Sequence, residues 1–125
     1  MAKREPRNPF EQRLWKQLKP TKRAEYESEV LKYHIEEDRR YTPDFPLTKL
    51  KGGKMYIEGK GKFSATDRKK MLLVKAQHPG IDIRFVFYRA AAKIRKGSKT
   101  SHAMWAEKHG FPYADKLIPK KWIEE

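Results

Sequence analysis

The sequence predicts an α/β domain with a partly parallel sheet, and three features carry that expectation. Two short extended runs in residues 42–60 flank Lys51-Gly52-Gly53-Lys54, a hairpin turn. A helical stretch follows, capped at Ser64 or Thr66 and stopped by His78-Pro79-Gly80. Residues 81–88 then place Ile81, Ile83, Phe85 and Phe87 on one face and Val86 and Tyr88 on the other, which suits a central strand. One helix between two strands is the βαβ pattern that makes them parallel neighbours.

The other elements follow in order. Residues 1–7 form a short basic arm. Asn8 suits an N-cap, Pro9 the first helical position and Glu11 the third position of a capping box; Phe10, Leu14 and Leu18 recur at helical spacing beside Trp15, and Lys19-Pro20 ends the helix. Residues 25–35 are polar with Tyr26, Val30, Tyr33 and Ile35 scattered through them, and read as one strand or two short ones; residues 36–40 read as a charged connector. Residues 42–47 form a short strand whose pairing Pro43 and Pro46 restrict. Residues 55–60 return with Glu58 and Lys60 on the face opposite Ile57. Met71, Leu72, Leu73 and Val74 bury the next helix, and Asp67 suits its first turn. Residues 90–99 are a basic loop. Thr100 or Ser101 caps a short helix closed by Gly110, and a last helix runs from Pro119 to Trp122-Ile123. The whole chain, residues 1–125, reads as one domain.

Composition narrows the partner. Thirty Lys and Arg against sixteen Asp and Glu leave a formal charge of +14, so a polyanion is expected, nucleic acid first. No cysteine is present, which excludes disulfides, thiolate metal sites and a Cys nucleophile. No apolar run approaches the ~20 residues of a membrane span, and residues 1–7 lack the apolar stretch of a signal peptide. An intracellular protein without a membrane partner is expected.

The candidate chemistry lies in Asp44 and in Glu58-Gly59-Lys60. Carboxylates hold hard divalent cations such as Mg²⁺, and phosphodiester hydrolysis is served by such a cation with a positive group beside it. Glu58 and Lys60 share one strand face, and Asp44 lies on the adjacent strand across the Gly-Gly turn, so the three converge. The plainer alternative is a solvated strand face with Asp44 as a turn residue after Pro43. Glu11 reads as a capping residue and, on the margin of a buried helix face, as a carboxylate within reach of the same site. Phosphate contacts are expected from Lys3, Arg4 and Arg7, from Lys62, from Arg68 and Lys69, and from Arg95, Lys96 and Lys99. Of the four histidines, His102 is the one placed near DNA. Trp15, Trp105 and Trp122 read as packing residues. A non-catalytic basic architectural protein is the alternative from another class.

The series Tyr41-Thr42-Pro43-Asp44-Phe45, Asp67-Arg68-Lys69-Lys70, Gln77-His78-Pro79, Asp82-Ile83-Arg84, Lys96-Gly97-Ser98, Glu107-Lys108-His109-Gly110 and Ala114-Asp115-Lys116-Leu117-Ile118-Pro119, then Trp122-Ile123, resembles the phage endonuclease I family, from Asn8 onward. The resemblance implies a restriction-endonuclease-like mixed sheet flanked by helices and a Mg²⁺-dependent enzyme resolving four-way (Holliday) junctions and other branched DNA. A related mismatch or nicking endonuclease is the nearer alternative. The resemblance assigns catalysis to Glu11, Asp44, Glu58 and Lys60. One Mg²⁺ would be held by Asp44, Glu58 and the Gly59 carbonyl, a second with help from Glu11, and Mn²⁺ is a substitute. It further implies an intertwined, domain-swapped homodimer, with residues 31–40 as the bridge and Glu11 acting in trans, and a site of action in the host cytoplasm. Gly59 departs from the larger residue expected at its position, and the chain stops two residues after Ile123 without a long basic tail.

Overall fold

The structure is a computed structural model that describes residues 4–34 and 38–125. Lys3 and the expected strand residue Ile35 fall outside the described residues. Helix α1 (Pro9–Leu18) begins where its capping residues dictate: the Asn8 side chain accepts from the N–H of Phe10 at 2.8 Å and of Glu11 at 3.4 Å. The α-helix stops at its C-cap Lys19, as expected, but the chain does not become extended there. It tightens into one 3₁₀ turn, Lys19–Thr21, which Lys22 ends in a left-handed conformation, φ 59°.

Residues 25–30 contain no strand; the bridge from Ala24 to Leu47 and the N–H groups of Glu25 and Glu27, which donate to the Pro46 and Asp44 carbonyls, tie this segment to residues 44–47. Strand β1 (Leu31–His34) instead pairs antiparallel with β2 (Asp38–Tyr41), so residues 38–40 are strand rather than connector. Tertiary packing decides this. Leu31, Tyr33 and Tyr41 share one face of the pair and lie against the core beneath helix α2 (Ala65–Gln77). The β1 backbone also bonds that helix's end, through Gln77 to His34 and through His78 Nε2 to the Lys32 carbonyl.

The main sheet has four strands in the order β3 (Phe45–Thr48), β4 (Lys54–Lys60), β5 (Ile83–Phe87) and β6 (Tyr113–Asp115). β3 and β4 are antiparallel, joined through Gly52 and Gly53 at φ 92° and 86°, while β4, β5 and β6 are parallel. Pro46 is tolerated because β3 is an edge strand. The mixed α/β sheet with flanking helices is therefore as expected. β6 escaped prediction because three residues are too short to show a period.

Helix α1 and the short α4 (Lys120–Ile123) cover one sheet face over Phe45, Leu47, Met55, Ile57 and Val86. α2 and α3 (His102–Lys108) cover the other over Phe63, Phe85 and Phe87, with Trp105 and Phe111. Leu72 and Leu73 are only half-buried; Met71 and Val74 carry the buried face of α2.

Candidate active site

The site forms where β3 begins and β4 ends, beneath the first turn of α1. Asp44 immediately precedes β3, and its Oδ2 accepts the Gly59 N–H at 3.0 Å. Glu58 lies beside Asp44 and is 2% exposed. Its Oε1 accepts both the Tyr41 hydroxyl at 2.6 Å and the Asp44 N–H at 3.1 Å, and its Oε2 lies 3.5 Å from Lys60 Nζ. Such a carboxylate cannot turn without abandoning two donors.

Glu11 reaches the site because α1 packs closely on β4 at Gly59. A β-carbon at Gly59 would stand 2.8 Å from Leu14 Cδ1, 3.4 Å from Phe10 Cε2 and 3.9 Å from Glu11 Cγ. The missing side chain, a departure in the sequence, is what admits the helix. The Glu11 carboxylate turns to the Tyr26 hydroxyl, which donates to it at 2.6 Å.

Glu27 joins them, a residue not singled out from sequence. Oxygens of Glu11, Glu27 and Asp44 all lie within 4.8 Å of one another. Glu27 is placed by its backbone: its N–H donates to the Asp44 carbonyl at 3.0 Å, and its φ of 47° is uncommon for a side-chain-bearing residue. The acidic spacing Glu25, Glu27, Glu29 was visible, but only the left-handed turn at Glu27 aims its carboxylate at Asp44.

The electrostatics follow from this crowding. Burial, then the charges of Glu58 and Glu11, push the Asp44 carboxyl far above the usual carboxylate range. Burial also raises Glu11; the Tyr26 hydrogen bond offsets part of that, and Glu27 and Glu58 add to it. Burial works against the charged form of Lys60, but Glu58, Asp67 and Asp44 outweigh it and hold the ammonium above its ordinary value.

The remaining expected residues separate into groups. Arg4 and Arg7 are exposed and line a cleft of about 690 Å³ shared with Glu11, Tyr26 and Glu27; Arg4 stands 3.6 Å from the Glu27 carboxylate. Lys62, Lys69, Arg95, Lys96 and Lys99 are exposed. Arg68 is committed to structure: it donates to the carbonyls of Phe63 at 2.6 Å and Ile94 at 3.3 Å, tying α2 to the basic loop. His102, expected near DNA, is 4% exposed and packs against Phe63 and Phe87; the apolar face of α3 must face the sheet, and His102 lies on it.

Carboxylates converging beside a half-buried lysine, on a mixed α/β sheet in a strongly basic chain, equip a protein for phosphodiester chemistry. Residues 2–125 match the family described as phage endonuclease I. The chain is 43% identical over 121 residues to Endonuclease I of Escherichia phage T7, covering 95% of this chain and 78% of that protein. It is 44% identical over 121 residues to Endodeoxyribonuclease 1 of Enterobacteria phage T3, covering 95% and 77%. The chain belongs to the phage endonuclease I family.

Proposed function

We propose that the protein is a structure-selective endodeoxyribonuclease that resolves four-way junctions by Mg²⁺-assisted phosphodiester hydrolysis, as a homodimer in the host cytoplasm. The observation that carries it is the convergence of Glu11, Glu27 and Asp44 oxygens within 4.8 Å, next to Glu58 and Lys60. This all-oxygen donor set fits a hard divalent cation. Burial first, and then the charges of Glu58 and Glu11, raise the Asp44 carboxyl, and a bound cation would favour its ionised form.

Asp44, Glu11 and Glu27 would hold one Mg²⁺. Glu58 and the Gly59 carbonyl would complete the shell and help hold a second, with Mn²⁺ as a substitute. When bound, the cation polarises a phosphoryl oxygen and lowers the pKa of water. The chain's own residues do the rest. Lys60 stays charged and stabilises the negative charge that develops on the phosphate. Tyr41 and the Asp44 N–H orient Glu58, the Gly59 N–H orients Asp44, and Tyr26 orients Glu11. Arg4 and Arg7 in the adjoining cleft, with Lys62, Lys69, Arg95, Lys96 and Lys99, draw the phosphate backbone to the site, so binding weakens steeply with salt.

A four-way junction presents two equivalent strands, which two sites in a homodimer match. The expected result is paired nicks in a labelled four-way junction with Mg²⁺, none with EDTA and none in the matching linear duplex. Preferential cutting of mismatched duplex would move the protein to the nicking class, and binding without cutting in any metal would leave an architectural protein. Subunit sharing has its own test: Glu11→Ala and Asp44→Ala chains, mixed and refolded together, regain cutting only if Glu11 acts in trans, because only then does one site keep both residues.

A further inference from the structure

A second surface lies on the other side of Phe10 from the acidic group. Phe10 packs toward Gly59 on one side and makes an edge contact with Tyr88 on the other, ring centroids 5.5 Å apart. Tyr88 follows β5, and its N–H donates to the Lys60 carbonyl at 2.9 Å, so it sits beside the strand end that carries the lysine. Lys116 follows β6 in the same way, its N–H bonded to the Phe87 carbonyl at 2.8 Å. At these strand ends opens a hollow of about 420 Å³ lined by Arg13, Tyr88, Arg89, Lys116 and Leu117. Crevices at the carboxyl ends of parallel strands are where open α/β sheets bind ligands, and the volume falls in the ~300–1,000 Å³ range of small-molecule sites.

The lining is of two kinds. Tyr88 is 47% exposed and Leu117 52%, so two of the large exposed apolar side chains among the described residues meet here. Around them stand three cations. Arg13 has its guanidinium 5.8 Å from the Tyr88 ring centroid and 5.9 Å from that of Phe10. Arg89 is exposed, and Lys116 is paired with Asp115 at 3.0 Å. An aromatic face with cations at its rim suits a flat π-system that carries phosphate, which describes a nucleotide whose base has left its stack.

We infer that this hollow is a subsite for one unstacked nucleotide of the branched DNA: its base lies on Tyr88, and its flanking phosphates meet Arg89 and Arg13. The inference rests on the nuclease reading above and deepens it. At a branch point stacking is already interrupted, so extruding a base costs less there than within a continuous duplex. A site beside Lys60 that must be filled by such a base would favour branched over linear DNA without reading sequence.

The test uses a four-way junction with 2-aminopurine placed in turn at each nucleotide flanking the branch point, bound by the full chain in EDTA. The expected result is quenching at one position for the wild type, with no quenching in a matching duplex. Tyr88→Ala should lose that quenching and bind the junction about tenfold more weakly, the worth of one stacked base, with duplex affinity unchanged; Tyr88→Phe should keep both. Arg89→Ala should weaken junction binding while the quenching persists at saturation. Wild-type quenching and affinity in Tyr88→Ala, confirmed folded by its melting curve, would overturn the subsite. So would equal weakening on junction and duplex, which would make the hollow a general phosphate contact. Failure of the nuclease reading looks different: the wild type would show no junction preference and no cutting.

Discussion

The two faces of the sheet are both well filled, but they differ in how packing is coupled to chemistry. Beneath α1 the contact mixes aliphatic and aromatic side chains and is very close, and it runs through Gly59, so the position of Leu14 and Phe10 sets where Glu11 stands. Beneath α2 and α3 the core is aromatic: Phe63, Phe85, Phe87, Trp105 and Phe111 meet at ring-centroid distances of 4.8 to 6.2 Å. That face touches the site at its margin, where Tyr41 holds Glu58. One face transmits its geometry to the acidic group; the other supplies stability. The difference can be broken or sharpened experimentally.

The largest effect is expected at the group both faces serve. Asp44→Asn should lower junction cutting by about a thousandfold or more, some 4 kcal/mol of transition-state stabilisation, while gel-shift affinity in EDTA is retained. Near-normal cutting by this variant would refute the metal assignment. On the aromatic face, Trp105→Ala should destabilise by about 3–5 kcal/mol, read by denaturant unfolding, yet leave Mg²⁺ affinity of the folded protein unchanged; altered affinity would abolish the contrast between the faces.

On the α1 face, Gly59→Ala should cost about 1–3 kcal/mol by overpacking against the fully buried Leu14 and also reduce cutting, because the displaced helix carries Glu11. Adding Leu14→Ala should recover part of the cutting although it cannot restore stability. Glu27→Gln should weaken Mn²⁺ binding, followed by the ion's paramagnetic resonance signal, by about tenfold or more; unchanged binding would place Glu27 outside the shell.

The smallest effect concerns pH. Burial among the aromatic rings lowers the His102 pKa below its ordinary 6.5, with Arg68 adding to it and a hydrogen bond to the Arg89 backbone opposing it. The folded state therefore binds fewer protons than the unfolded one just below pH 6.5, and stability falls as pH drops from that value toward the lower folded pKa. His109 is lowered too, by burial and then by Lys108 and Lys75, and contributes with the same sign. Melting temperatures measured across this window should show a shallower slope in His102→Gln; an unchanged slope would mean that His102 does not carry the effect.

Local chemistry determined a good part of this molecule. Asn8 and Pro9 start α1, Gly52 and Gly53 turn the hairpin, Ser101 and Gly110 bracket α3, and the alternation in β5 marks a strand, because each of these signals acts over a few residues. Asp44, Glu58 and Lys60 were legible for the same reason: the adjacency of two strands follows from a short turn. What tertiary structure alone decided is non-local. The β1–β2 pair exists because it docks on α2, and β6 exists because β5 offers it an edge. His102 is sequestered because α3 lies against the sheet. Glu27 enters the site because a left-handed turn and one backbone hydrogen bond to Asp44 aim it there, and Gly59 proves to be the place where a helix passes. Such arrangements depend on chain segments far apart in sequence finding room beside each other, and no window of neighbouring residues encodes that room.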